Sequence, residues 1–215
     1  MRAEQLQRII NQSTGEREVA QFLALHPEIV RYSVTKTAGH SAYVLKEFPF
    51  GSHYKADLVV LTSYSGVWEV HLIELEPPDD MVVTKDDIPS NRLNKALTQL
   101  NDWKDYIDKN RIQFRCDLTT WCMSRDLLKW IKGNHIPSNN TGDLLNSPDT
   151  MIKCFYYVFI GNREKISKDA RRRMNLLSNY PIQILTYGRF LDVAKNFDEF
   201  DADNSKNVLL TKSEE

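Results

Sequence analysis

Between residues 67 and 76 the chain alternates. Trp68, Val70, Leu72, Glu74 and Glu76 fall on one face of an extended segment, and Val67, Glu69, His71, Ile73 and Leu75 on the other. The alternation predicts a β-strand whose apolar face runs out into two carboxylates. An apolar run at 57–62, opened by Asp57, precedes it, and the polar stretch Thr62-Ser63-Tyr64-Ser65-Gly66 predicts the turn that joins the two as a hairpin. Pro77-Pro78 stop the second strand. A third strand is expected at 42–50, before the hairpin.

The flanking segments change period. Ser13-Thr14-Gly15-Glu16 has capping-box spacing, and Val19, Ala20, Phe22 and Leu23 supply the apolar face of a helix that ends at Pro27. Leu93, Ala96, Leu97, Leu100, Trp103 and Ile107 recur at helical spacing and predict a helix over 92–107. Strands are expected at 114–122, 152–160 and 182–187, and a basic helix at 163–177. The stretch 133–150, rich in Asn, Ser, Pro and Gly, reads as a surface insertion. From Asp198 onward the chain is polar and acidic, which predicts a poorly ordered tail beyond a single domain at 1–197.

A chain of 215 residues fits one α/β domain with a sizeable core. Its 28 Lys and Arg against 29 Asp and Glu leave no global basic field, so any nucleic acid must be held by a local patch. Cys116, Cys122 and Cys154 show neither disulfide nor zinc spacing, and no segment resembles a secretory signal or a membrane span. The expectation is a soluble, reduced, cytoplasmic protein with no membrane partner. There is no phosphate-cradling glycine loop and no nucleophile elbow, which argues against ATP hydrolysis and serine esterase chemistry.

The hairpin is where chemistry concentrates. With the turn near Ser65, antiparallel pairing sets Asp57 across from a residue between Leu72 and Glu74. Carboxylates that close repel one another and lose hydration unless a cation neutralises them, and a hard divalent ion such as Mg2+, with Mn2+ as substitute, does so. An isolated Glu-x-Glu at a strand end is ordinarily just solvated. Its partnership with Asp57 is what favours a metal site. In the basic segment 163–177, six cations, among them Arg163, Lys168, Arg171 and Arg172, stand against Glu164 and Asp169. That concentration suits phosphate contacts or, equally, a solvated helix face.

The order helix, three strands, helix, strand, with acids on the second and third strands, resembles the αβββαβ core of the PD-(D/E)XK restriction-endonuclease superfamily. Within it the chain most resembles the Shedu antiphage nuclease family. The resemblance rests on Phe22-Leu23-Ala24-Leu25-His26-Pro27-Glu28, Lys55-Ala56-Asp57, Ile73-Glu74-Leu75-Glu76-Pro77, Gln99 with Trp103, Phe159-Ile160-Gly161-Asn162-Arg163 and Ile184-Leu185-Thr186-Tyr187. It implies a mixed central sheet flanked by helices and a Mg2+-dependent nuclease acting on DNA, double-stranded and with little sequence preference, in a homo-oligomer with an antiphage role.

By position, Asp57 matches the first metal-binding aspartate and Glu74 the second acidic ligand. Glu76 stands where the family usually has lysine, and some restriction enzymes with a glutamate there still cut DNA. Glu76 is then a metal ligand or a general base, and Lys55 a stand-in for the missing ammonium. Gln99 matches a helical glutamine that shapes such sites, although a helix-surface role explains it as well. Glu18 resembles the acid that the first helix often contributes, or is an ordinary exposed position. The resemblance also places a basic residue at Arg163, and Arg189 is a further candidate. His53 would share the face of Lys55 and Asp57. The alternative functions are a catalytically impaired module of the same fold that binds nucleic acid or a protein partner, and a plain structural module.

Overall fold

The computed structural model describes residues 1–13, 15–35, 41–84, 88–124 and 136–211, with side chains through residue 202. Three helices come first, α1 (Arg2–Gln12), α2 (Arg17–Leu25) and α3 (Pro27–Val34), followed by strands β1 (Ser41–Phe50), β2 (Tyr54–Tyr64) and β3 (Val67–Leu75). Helices α4 (Asn91–Lys109) and α5 (Arg111–Ser124) lead to β4 (Met151–Phe159), and α6 (Lys168–Leu177), β5 (Ile182–Leu185) and α7 (Gly188–Thr211) complete the order.

The strands form one mixed sheet in the order β1-β2-β3-β4-β5. β1, β2 and β3 pair antiparallel, while β3–β4 and β4–β5 are parallel. The hairpin closes as Tyr64 pairs with Val67 across Ser65 and Gly66, whose φ angles of +46° and +79° give the turn whose twist matches the flanking strands. Its polar turn is therefore two residues long, and β2 runs further in both directions than the apolar run suggested.

The alternation of β3 is realised by burial on both faces. Trp68, Val70 and Leu72 pack with Leu93, Ala96, Leu100 and Trp103 of α4 and Phe114 and Leu118 of α5. Ile73 and Leu75 pack instead with Leu6, Phe22, Ile29 and Phe190 from α1, α2, α3 and α7. Each such side chain taken from water contributes about 2 kcal/mol. Helices thus cover both sides of the sheet and leave the ends of β2 and β3 at its rim.

Several expectations need correction. Residues 114–122, expected as a strand, lie in α5: Phe114, Leu118 and Cys122 are buried and recur every four residues, which is one face of a helix. The capping box does not form. Ser13 ends α1, and α2 starts at Arg17 with Glu16 at its N-cap; Thr14 lies outside the described residues. The expected tail from Asp198 instead continues α7 to Thr211, and Asp198 accepts the backbone N–H groups of Arg2 and Ala3 at 3.0 and 2.9 Å. Helix α1, with Ala3, Leu6 and Ile10 buried, was not foreseen.

Of the insertion, 133–135 lie outside the described residues. The remainder is tied to the hairpin turn, with the Asn139 amide donating to Gly66 O at 3.0 Å and Gly66 N–H donating to Asn140 Oδ1 at 3.2 Å, and Leu145 is fully buried. Among the described residues no helix is long and apolar enough to cross a membrane.

Candidate active site

The last β2–β3 pair is Leu58 with Ile73, and one step further along the same register sets Asp57 opposite Glu74. Asp57 Oδ2 accepts the backbone N–H of Leu75 at 2.8 Å. Burial raises the Asp57 pKa above the usual carboxylate value despite that hydrogen bond and the nearby Lys55, with Glu16 and Glu47 adding to the rise. Glu74 continues the Trp68–Leu72 face toward α4, where the Gln99 side chain hydrogen-bonds to it. Glu74 Oε2 is buried and has no hydrogen-bond partner. Burial first, then the charges of Asp57 and Glu76, push the Glu74 carboxyl up to about 9.

Glu76 lies just past β3. Its backbone N–H donates to Phe159 O at 2.8 Å and its carbonyl accepts from the buried Tyr187 hydroxyl at 2.7 Å, so β4 and the start of α7 both fix it. Burial pushes the Glu76 carboxyl up to about 7 against the opposing charge of Arg92. Arg92 Nη1 is 3.7 Å from Glu76 Oε2, and its Nε is 3.2 Å from Asp80 Oδ2. No sequence signal singled out Arg92.

The other expected residues divide. Lys55 Nζ is 3.8 Å from Glu47 Oε1 and eases the charge on Asp57, but the strongest opposing charge on Glu76 is Arg92, not Lys55. Glu18 accepts from Ser13 Oγ at 2.7 Å. The acid from the helical N-terminus that acts on Asp57, Glu74, Glu76 and Tyr187 is Glu16, at the N-cap of α2. The capping-box reading of Ser13 to Glu16 placed Glu16 in the first turn of the helix, as the partner of Ser13. His53, Lys55, Asn91, Lys95, Gln99 and Trp103 line a groove of about 700 Å³, and Gln99 joins that groove to Glu74.

The basic helix lines a pocket with Val83 and Thr84 rather than the groove at Gln99. Arg163 is paired with Asp192 of α7 at 2.7 Å, while Lys168, Arg171 and Arg172 are exposed on α6. None of the strongest charges on Asp57, Glu74 or Glu76 comes from α6. Arg189 Nε donates to Ser33 O at 3.1 Å. His71 is buried on the opposite face, its Nδ1 3.0 Å from the Tyr157 hydroxyl.

Asp57 and Glu74 offer hard oxygen donors from adjacent strands, and the orphaned Glu74 Oε2 is a donor atom with nothing to bind. Among the described residues no three of His, Cys, Asp and Glu come close enough together to hold a metal ion, so the expected set of Asp57, Glu74, Glu76 and Glu18 does not converge. Mg2+ commonly takes one or two carboxylates and keeps several waters, and the Asp57–Glu74 pair suits that habit.

No curated protein matches the chain. Residues 13–191, which hold all five strands and Glu16, Asp57, Glu74 and Glu76, match the family model described as Shedu protein SduA, C-terminal, and the chain belongs to that family.

Proposed function

We propose that the chain is a Mg2+-dependent DNA endonuclease of Shedu-type antiphage defence, built on a restriction-endonuclease-like core. The observation that carries this reading is the opposition of Asp57 and Glu74 across the β2–β3 end, with Glu74 Oε2 buried and unpartnered. Two carboxylates that repel each other in a half-dry site are stabilised by a divalent ion, which supplies Lewis acidity toward a phosphodiester and its attacking water. Asp57 and Glu74 hold the ion. Gln99 fixes the Glu74 carboxyl and faces the groove in which a nucleic-acid strand lies, with Lys55 and Lys95 against its phosphates.

In the reaction, an oxygen–phosphorus bond forms from water and the phosphorus–oxygen bond to the leaving alcohol breaks. Glu76, poised at about 7, takes the proton of the water, and the leaving oxygen gains one from solvent. Contacts with phosphates carry no sequence information, which supports cleavage with little sequence preference. The family resemblance supports assembly as a homo-oligomer and the antiphage role.

A plasmid-nicking assay in Mg2+ tests the reading. Wild type converts supercoiled plasmid to open circle, and Glu74→Ala lowers the rate at least a hundredfold. Nicking by Glu74→Ala at the wild-type rate rejects the site. A second reading, a nuclease-like module that binds DNA without cutting it, is favoured by Glu76 standing where the resemblance has lysine. It predicts duplex binding with no nicking and no response to metal.

A further inference from the structure

We propose that Arg92 is the phosphate-facing cation of this site, held by Asp80 and Glu76 until a nucleic-acid phosphate takes the place of Glu76. The inference rests on the nuclease reading above. Asp57, Glu74, Glu76 and Glu16 give the site four acids, and charge gathers on the non-bridging oxygens of a phosphodiester under attack. One divalent ion leaves that assembly strongly negative. A side-chain cation at the acids offsets that charge, and the position that the resemblance gives to lysine holds Glu76 instead.

The geometry singles out Arg92. It sits in the first turn of α4, a helix start fixed by Ser90, whose Oγ accepts Leu93 N–H at 3.1 Å. Its neighbours Asn91 and Lys95 line the groove that reaches Gln99, and its own side chain turns to Glu76 and Asp80. Its Nε lies 3.2 Å from Asp80 Oδ2 in an ion pair without hydrogen-bond geometry, and its Nη1 lies 3.7 Å from Glu76 Oε2, an ion pair too long for a hydrogen bond. Arg92 is 58 % exposed, so its fork of donors is reachable from solvent. A guanidinium held by ion pairs alone turns its Nη pair to two oxygens of a phosphate at little cost, and that bidentate geometry is the one arginine forms best. Lys55 faces the groove instead and is absent from the charges acting most strongly on Glu76, where Arg92 is the largest opposing charge.

The test compares wild type, Arg92→Ala, Arg92→Lys and Glu74→Ala in two measurements: anisotropy titration of a fluorescent DNA duplex over a salt series without divalent metal, and plasmid nicking in Mg2+. A cation that contacts phosphate contributes about 0.9 to the slope of log affinity against log salt. Arg92→Ala is expected to flatten the slope by about that amount and to slow nicking about a hundredfold. Arg92→Lys keeps the slope and part of the rate. An arginine that merely neutralises Glu76 and Asp80 leaves the slope unchanged. An unchanged slope with nicking within threefold of wild type overturns the inference, and loss of nicking in Glu74→Ala then shows that the nuclease reading itself survives. If wild type does not nick at all but Arg92→Ala flattens the slope, the nuclease reading fails and the phosphate contact stands.

Discussion

Asp57 reaches from β2 to Leu75 on β3, its Oδ2 accepting the backbone N–H at 2.8 Å. One oxygen of the carboxylate thus secures the strand end where Glu74 stands, and a single residue links the sheet's integrity to its candidate chemistry. The two roles separate by substitution. Asp57→Asn keeps an acceptor for Leu75 and should lower stability by less than about 1 kcal/mol, while Asp57→Ala strands that N–H and lowers it by about 1–3 kcal/mol. Urea unfolding checks the order, and both variants should lose affinity for Mn2+.

The pH dependence of stability follows from Glu74. Its carboxyl, with an ordinary value of 4.5, is pushed up to about 9 in the folded chain, so between these limits the unfolded chain releases a proton that the folded chain retains. Stability therefore falls as pH rises from about 4.5 toward 9, and Glu76 adds to the fall up to about 7. Glu74→Gln removes most of this loss. At pH 8 without metal it should be more stable than wild type by on the order of 2 kcal/mol, or about 5 °C in melting temperature. Equal melting temperatures across pH 5–8 for the two proteins contradict the assignment.

Gly161 supports the loop that carries Asp80. Its φ is +71°, and a Cβ there would stand 2.9 Å from Val82 Cγ2 and 3.1 Å from Asp80 O. Gly161→Ala combines a strained backbone with a clash against the Val82 side chain and a tight contact with Asp80 O, and should lower stability by about 1–3 kcal/mol. A thermal melt measures it.

The hairpin was legible because strand alternation and turn composition are local signals: β3 and its two faces, a turn near Ser65 and the placing of Asp57 across from residues 72–74 all follow from short-range pattern. The helix at α4 was equally plain from Leu93 to Ile107. Residues 114–122 misled because Thr119, Thr120 and Trp121 favour strands, while the spacing of Phe114, Leu118 and Cys122 is what tertiary packing used. The contribution of Glu16 and Arg92 is a matter of which chain segments meet at the sheet rim, and no single-segment pattern encodes it. Likewise the basic run at 163–177 announces charge but not position, and the fold spends Arg163 on Asp192.

That position makes a prediction about nucleic acid. Lys95 lines the groove that reaches Gln99, whereas Arg171 is exposed on α6 and does not line it. Charge reversal by Lys95→Glu should weaken duplex binding and flatten its salt dependence by more than Arg171→Glu does. Anisotropy titration at several salt concentrations reads both, and a larger effect from Arg171→Glu would return the binding face to α6.

The central claim is that Asp57 and Glu74 together hold one divalent ion, and calorimetric titration with Mn2+ at pH 7 tests it most directly. Because Glu74 carries a proton near neutrality in the metal-free chain, binding must expel that proton, and the measured heat should change with the ionisation enthalpy of the buffer. The account predicts one site per chain in wild type, release of about one proton per ion, and no binding by Asp57→Ala or Glu74→Ala. Absence of Mn2+ binding by wild type, or equal binding by wild type and both variants, contradicts it.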